Sequence, residues 1–149
     1  MNICICSSMA FYHQFTELKK TLVASGRTVF APELEFETTD DDTSVGAFFD
    51  RNGGIDTFPP DHEVWEKKGN AILAHFRKID QSDCILVTNY EKKGIPHYIG
   101  GNTFLEIGYA FGAGKKIFIL HELPTVSTYL EEILGMQPTI LNGDIRPLL

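Results

Sequence analysis

Short apolar runs alternate with amphipathic segments along the chain, and this alternation limits the available folds more than any other feature. Residues 2–6 form an apolar run with two β-branched positions, and Phe11, Phe15, Leu18 and Leu22 follow at helical spacing until Gly26 stops the helix. Residues 28–31 give a second short strand that ends at Pro32. Further on, Asp61 can cap a helix running to about Gln81, with Trp65, Ile72, Leu73, Phe76 and Ile79 mostly on one face. Residues 84–88 are nearly continuously apolar, 89–102 form a polar loop and 103–113 a helix. A strand at 116–120, a short helix at 126–134 and a strand at 138–141 complete the order. Parallel neighbours need a crossover helix between them, so the predicted fold is α/β: a Rossmann-like or flavodoxin-like parallel five-stranded sheet with helices on both faces.

One domain over residues 1–149 accommodates this pattern, interrupted by a long loop at about 32–60 that shows no period and carries Asp40-Asp41-Asp42, Asn52-Gly53-Gly54 and Pro59-Pro60. At 43% hydrophobic content the chain can bury a core without metal or disulfide staples. The net charge of −7, with acids concentrated between Glu33 and Asp42, repels a nucleic-acid backbone, so polymeric DNA or RNA is excluded as the expected partner. A small nucleotide is not, because a local nest of N–H groups can hold one phosphate. No apolar run approaches membrane length and no charged segment precedes the first one, so no membrane partner and a cytoplasmic location are expected. Cys4, Cys6 and Cys84 all fall in strand-like runs, where buried free thiols are the expectation over disulfides or metal ligands.

Ligands of open α/β sheets bind outside the carboxyl ends of the strands, and two segments are expected there. The first is Gly100-Gly101-Asn102-Thr103, where glycines let the backbone approach a ligand and a helix N-terminus presents donors to an anion. Glu106 is expected in the first turn of that helix, and a carboxylate beside a phosphate-sized nest suggests sugar or nucleotide chemistry. Thr103-x-x-Glu106 also has the spacing of a capping box, which would give both side chains a purely structural task. The second segment is Ser7-Ser8, which follows the first strand as a phosphate-binding turn or as the N-cap of the next helix. G-x-G-x-x-G and the P-loop are both absent, and no cofactor is expected. His75 can project toward the same cleft or be an ordinary satisfied histidine; with His62 and Glu63 it lacks the H-E-x-x-H spacing, and no metal site is expected. Tyr90, Tyr98 and Tyr109 can stack on a base or simply pack.

Three segments carry a family resemblance: Ile3-Cys4-Ile5-Cys6-Ser7-Ser8, Ile79-Asp80-Gln81-Ser82-Asp83-Cys84-Ile85-Leu86-Val87, and Gly101-Asn102-Thr103-Phe104-Leu105-Glu106-Ile107-Gly108-Tyr109-Ala110. Their order resembles the nucleoside 2-deoxyribosyltransferase superfamily, which includes the 2′-deoxynucleoside 5′-phosphate N-hydrolases; the most specific part is Glu-x-Gly-Tyr-Ala. The resemblance implies that Glu106 attacks the anomeric carbon of a deoxyribose to give a covalent glycosyl-enzyme, with the helix N-terminus keeping it ionised. It further implies that Ser7, Ser8 and Gly100, Gly101, Asn102 and Thr103 hold a 5′-phosphate. Two positions depart from the pattern: a family carboxylate that positions or protonates the base falls at His75, and a first-strand aromatic falls at Cys4. The expected function is N-glycosidic-bond chemistry on a small nucleoside or nucleotide, by transfer or hydrolysis; the alternative is a non-catalytic nucleotide-binding or sensor module of the same fold. A homo-oligomer is expected, because family sites are often completed across an interface and Tyr12, Phe48, Phe49 and Trp65 are many aromatics for one small core.

Overall fold

The computed structural model describes residues 1–34 and 45–149, so the acidic run at Asp40 lies outside the described residues. Five parallel strands, β1 (Asn2–Ser7), β2 (Thr28–Phe30), β3 (Cys84–Thr88), β4 (Lys116–Ile119) and β5 (Thr139–Ile140), form one sheet in the order β2-β1-β3-β4-β5. That is the flavodoxin-like order, whose direction reverses between β1 and β3. Both central strands are buried on both faces; Ile3 to Cys6 and Cys84 to Val87 have no exposed surface. This is why they read as unbroken apolar runs.

The helices are α1 (Tyr12–Ala24), α2 (Val45–Arg51), α3 (Glu63–Asp80), α4 (Gly101–Gly112) and α5 (Leu130–Gly135). Strand alternation sends Ile3, Ile5, Cys84 and Leu86 to the face covered by Phe15 and Leu22 of α1. Cys4, Cys6, Ile85 and Val87 go to the opposite face, against Ile79 of α3, Ile107 and Ala110 of α4 and Ile133 of α5. Helices thus cover both faces, as predicted: the chain steps one way from β1 to β2 and the other way from β2 to β3 and beyond, so right-handed crossovers put α1 on one face and α3, α4 and α5 on the other.

Several boundaries differ from the sequence reading. Residues 45–51 are helical and a 3-10 turn spans Ile55–Thr57, inside the stretch expected to be irregular. His62, not Asp61, caps α3: its Nδ1 accepts the Val64 N–H at 3.1 Å. The last helix is shorter than expected, starting at Leu130. On α3, Leu73 is half exposed, while His75 takes a core-facing place. Phe48, Phe49, Phe58 and Trp65 pack on one another in a satellite cluster, with Phe49 stacked on Trp65 at 5.5 Å between centroids. Those rings find partners inside the chain, so a surplus of aromatics no longer argues for an oligomer. Among the described residues no helix is long and apolar enough to cross a membrane.

Candidate active site at the β1/β3 crossing

Ser7 and Thr88 end the two strands that flank the reversal of strand order, and they stand in register. The Thr88 hydroxyl donates to Ser7 Oγ at 2.6 Å, and Ser7 donates onward to the Ser8 carbonyl at 3.1 Å. Ser7 is therefore the last residue of β1, not a loop residue, and spends its one donor internally. Ser8 is the N-cap of the 3-10 turn Met9–Phe11, accepting the Ala10 N–H at 3.3 Å. Asn89, which no motif marked, is fully buried just beyond β3. It accepts the His121 N–H at 2.9 Å and donates to the Glu122 carbonyl at 2.7 Å, tying the loop after β4 to the end of β3.

Helix α4 begins two residues earlier than expected. Gly100 is its N-cap and Gly101 its first residue, so Thr103 is the third helical residue and Glu106 lies in the second turn. The Thr103/Glu106 capping box does not form, and the N-cap Gly100 supplies no side-chain cap. A Cβ on Gly100 would stand 3.0 Å from the Tyr98 hydroxyl, which explains a glycine there; at Gly101 the nearest atom would be the Tyr129 hydroxyl at 4.0 Å, an open site. Tyr98 also packs on Phe11, with centroids 6.5 Å apart, and so links the turn after β1 to the start of α4.

Thr103, Glu106, Ile107 and Ala110 form the buried stripe of α4, which places Glu106 where an apolar residue would ordinarily sit. Its Oε1 accepts from Asn102 Nδ2 at 3.2 Å and faces His75 Nε2 at 3.8 Å, while its buried Oε2 has no hydrogen-bond partner among the described residues. Burial pushes the Glu106 carboxyl up to about 7 against the opposing pull of the His75 charge. Desolvation thus outweighs that counter-charge.

His75 Nε2 also lies 3.6 Å from Cys4 Sγ and 3.7 Å from Cys6 Sγ. Burial works against its imidazolium, but the Cys4 hydrogen bond and the Glu106 and Cys4 charges outweigh it and leave the pKa raised. The Cys4 thiol is lowered to about 6, first by its contact with Cys6, whereas burial holds the Cys6 thiol well above its usual value. All three cysteines are free and buried, as predicted. What the sequence reading did not foresee is that Cys4, Cys6 and His75 bring three metal-ligating atoms within 4.8 Å of one another. The C-x-C spacing on a strand was the available signal, because it sets both thiols on one face.

A cavity of about 820 Å³ lies beside α3, lined among others by Phe48, Phe58, Lys67, Asn70, Ala71 and Ala74. Ala71 precedes His75 by four residues on the same helical face, so the cavity reaches within one turn of the buried cluster. The tyrosines considered for base stacking are engaged in packing: Tyr90 on Phe11 and His121, Tyr98 on Phe11, and Tyr109 stacked on Phe76 at 4.1 Å with its hydroxyl on Asp80.

A flavodoxin-like five-stranded parallel sheet defines the structural class, and known structures share that fold. The chain aligns with a 2-deoxyribosyltransferase of Bacillus psychrosaccharolyticus over 91% of its own length and 82% of the other, with a TM-score of 0.56 and 16% identity. It aligns with a CMP N-glycosidase of Clostridium botulinum over 99% of its length and 96% of the other, with a TM-score of 0.51 and 13% identity. At these identities the likeness is one of fold, and at that level the resemblance read from the sequence holds. No family model and no curated protein matches the sequence.

Proposed function

We propose that the chain breaks the N-glycosidic bond of a nucleoside or nucleotide, by hydrolysis or base exchange, with Glu106 as nucleophile. The observation that carries this reading is the Glu106 carboxylate itself: buried beside the β1/β3 crossing, free of any capping task, with one oxygen unpaired among the described residues. The two enzymes that share the fold are a deoxyribosyltransferase and a CMP N-glycosidase, which favours this chemistry over others available to an α/β sheet.

In the reaction, a Glu106 oxygen forms a bond to the anomeric carbon as the bond to the base breaks, and the base leaves with the electron pair and takes up a proton. Water or a second base then displaces Glu106 from the sugar. The first step needs the ionised carboxylate, and the His75 imidazolium 3.8 Å away is the group placed to stabilise it. It also needs the anomeric carbon within about 3–3.5 Å of the attacking oxygen, so the sugar must enter beneath the start of α4 and displace the side chains now covering Oε2. A 5′-phosphate would rest on the first-turn N–H groups of Gly101, Asn102 and Thr103 and on Ser8, at the positive end of α4. Asn102 would hold the carboxylate in position.

Incubating the purified chain with a panel of ribo- and deoxyribonucleosides and their 5′-monophosphates, and resolving free base by chromatography, tests the proposal. Release of base from at least one member is expected; none from any would leave a nucleotide-binding module as the better reading. A homo-oligomer is part of the same proposal, and sedimentation at micromolar concentration showing only a 16.7 kDa species would remove it.

A further inference from the structure

We propose that Cys4, Cys6 and His75, with the Glu106 carboxylate as fourth ligand, form a binding site for one tetrahedral cation of the zinc class. The site is assembled from three rigid elements: the thiols lie two residues apart on one face of β1, the imidazole comes from α3 and the carboxylate from α4. All four groups are buried. Around tetrahedral zinc, a thiolate sulfur at about 2.3 Å and an imidazole nitrogen at about 2.0–2.1 Å stand about 3.5 Å from each other. The two Sγ to Nε2 distances are 3.6 and 3.7 Å, and the imidazole to carboxylate distance is 3.8 Å. The two sulfur-to-nitrogen distances are therefore within a few tenths of an ångström of those around a bound ion, while the Glu106 carboxylate, which lies outside the group of three donors within 4.8 Å of one another, has to swing further to close on it.

A second observation points the same way. Glu106 Oε2 is buried with no hydrogen-bond partner among the described residues, and burying an acceptor unpaired costs about 1–3 kcal/mol unless something else binds it. A cation held by the thiols and the imidazole would satisfy it once the carboxylate turns Oε2 toward them, since the oxygen now facing His75 is Oε1. Two thiolates, an imidazole and a carboxylate suit zinc or cobalt in tetrahedral geometry better than magnesium or calcium, which prefer all-oxygen sites. Cys84 points to the other face of the sheet and stays outside the set. Lys68 and Lys78 also act on Glu106 and Cys4, and their positive charge moderates a site with three anionic donors. Binding displaces the thiol protons to solvent and changes no oxidation state.

Reduced, chelator-treated protein titrated anaerobically with cobalt(II) tests the site. One equivalent per chain is expected to bind, with thiolate-to-cobalt charge-transfer absorption of two thiolates and the intense visible bands of tetrahedral cobalt, and zinc is expected to displace it. Cys4→Ser and Cys6→Ser should each weaken binding by at least about 100-fold, beyond the usual loss from removing a supporting contact. Cys84→Ser should bind as wild type, and circular dichroism checks that each variant is folded. Glu106→Gln should keep the charge-transfer band, bind more weakly and show altered visible bands; an unchanged affinity and spectrum would remove Glu106 from the ligand set. Absence of thiolate charge transfer in wild type, or its persistence in the Cys4→Ser/Cys6→Ser double variant, would overturn the site. A bound ion takes His75 as a neutral ligand and occupies Glu106, so metal-loaded protein is expected not to release base; the readout here is spectroscopic and does not depend on turnover, so this inference and the glycosidic reading of the metal-free protein can fail separately.

Discussion

His75 Nε2 and Glu106 Oε1 face each other at 3.8 Å between α3 and α4, both buried and of opposite charge when both are ionised. Neither charge would be favoured alone at this depth. Glu106 therefore depends on His75 for its ionised form, although the two residues are 31 positions apart in sequence and only the fold brings them together.

Replacing His75 with alanine removes that counter-charge and the thiols' partner, and leaves a hole beside an already unpaired carboxylate. A loss of about 1–3 kcal/mol in stability is expected from urea unfolding, together with slower base release. If both stability and rate were unchanged, the pairing would carry neither structure nor chemistry.

Asn89 joins the end of β3 to the loop after β4 through two hydrogen bonds from one buried amide. Alanine there strands two backbone groups, and a loss of about 2–4 kcal/mol is expected. Aspartate keeps the acceptor for the His121 N–H but loses the donor to Glu122, so partial rescue should distinguish hydrogen bonding from packing. Denaturant midpoints of the two variants decide this, and equal losses would count against the bonding account.

The division between what was legible and what was not follows the physics of each element. Strands β1 and β3 were clear because burial on both faces leaves continuous apolar runs, and α1 because Phe11, Phe15, Leu18 and Leu22 keep a helical period. Helix α2 was missed because seven residues burying only Phe49 make no period. The start of α4 was misplaced because Gly100 and Gly101 carry no side-chain cap to mark it, and the Thr103 to Glu106 spacing imitates one. The acid and the glycine turn of the candidate site were readable from the motif. Burial of Glu106 followed from its place in the stripe Thr103, Glu106, Ile107, Ala110, a pattern that outweighs the polarity of a single residue. The Cys4, Cys6 and His75 cluster was not readable as a unit, since it needs a strand face and a helix face to meet.

Gly101 has room for a side chain, so Gly101→Val should fold normally and test the phosphate role of the α4 start. A β-branched side chain at the first helical residue would crowd an anion resting on those N–H groups. Calorimetry with a nucleoside and its 5′-monophosphate is expected to show a loss of about tenfold or more for the phosphorylated ligand, near 1.4 kcal/mol, and little for the nucleoside. Equal losses, or no preference for phosphate in wild type, would contradict the anion site.

The central claim is that Glu106 is the nucleophile, and Glu106→Gln tests it most directly. The amide keeps the shape of the side chain and an oxygen to accept from Asn102, so fold and ligand affinity should stay near wild type. Base release under single-turnover conditions, with the best substrate of the panel, is expected to fall by at least about 1,000-fold. Turnover by folded Glu106→Gln at the wild-type rate would contradict the assignment.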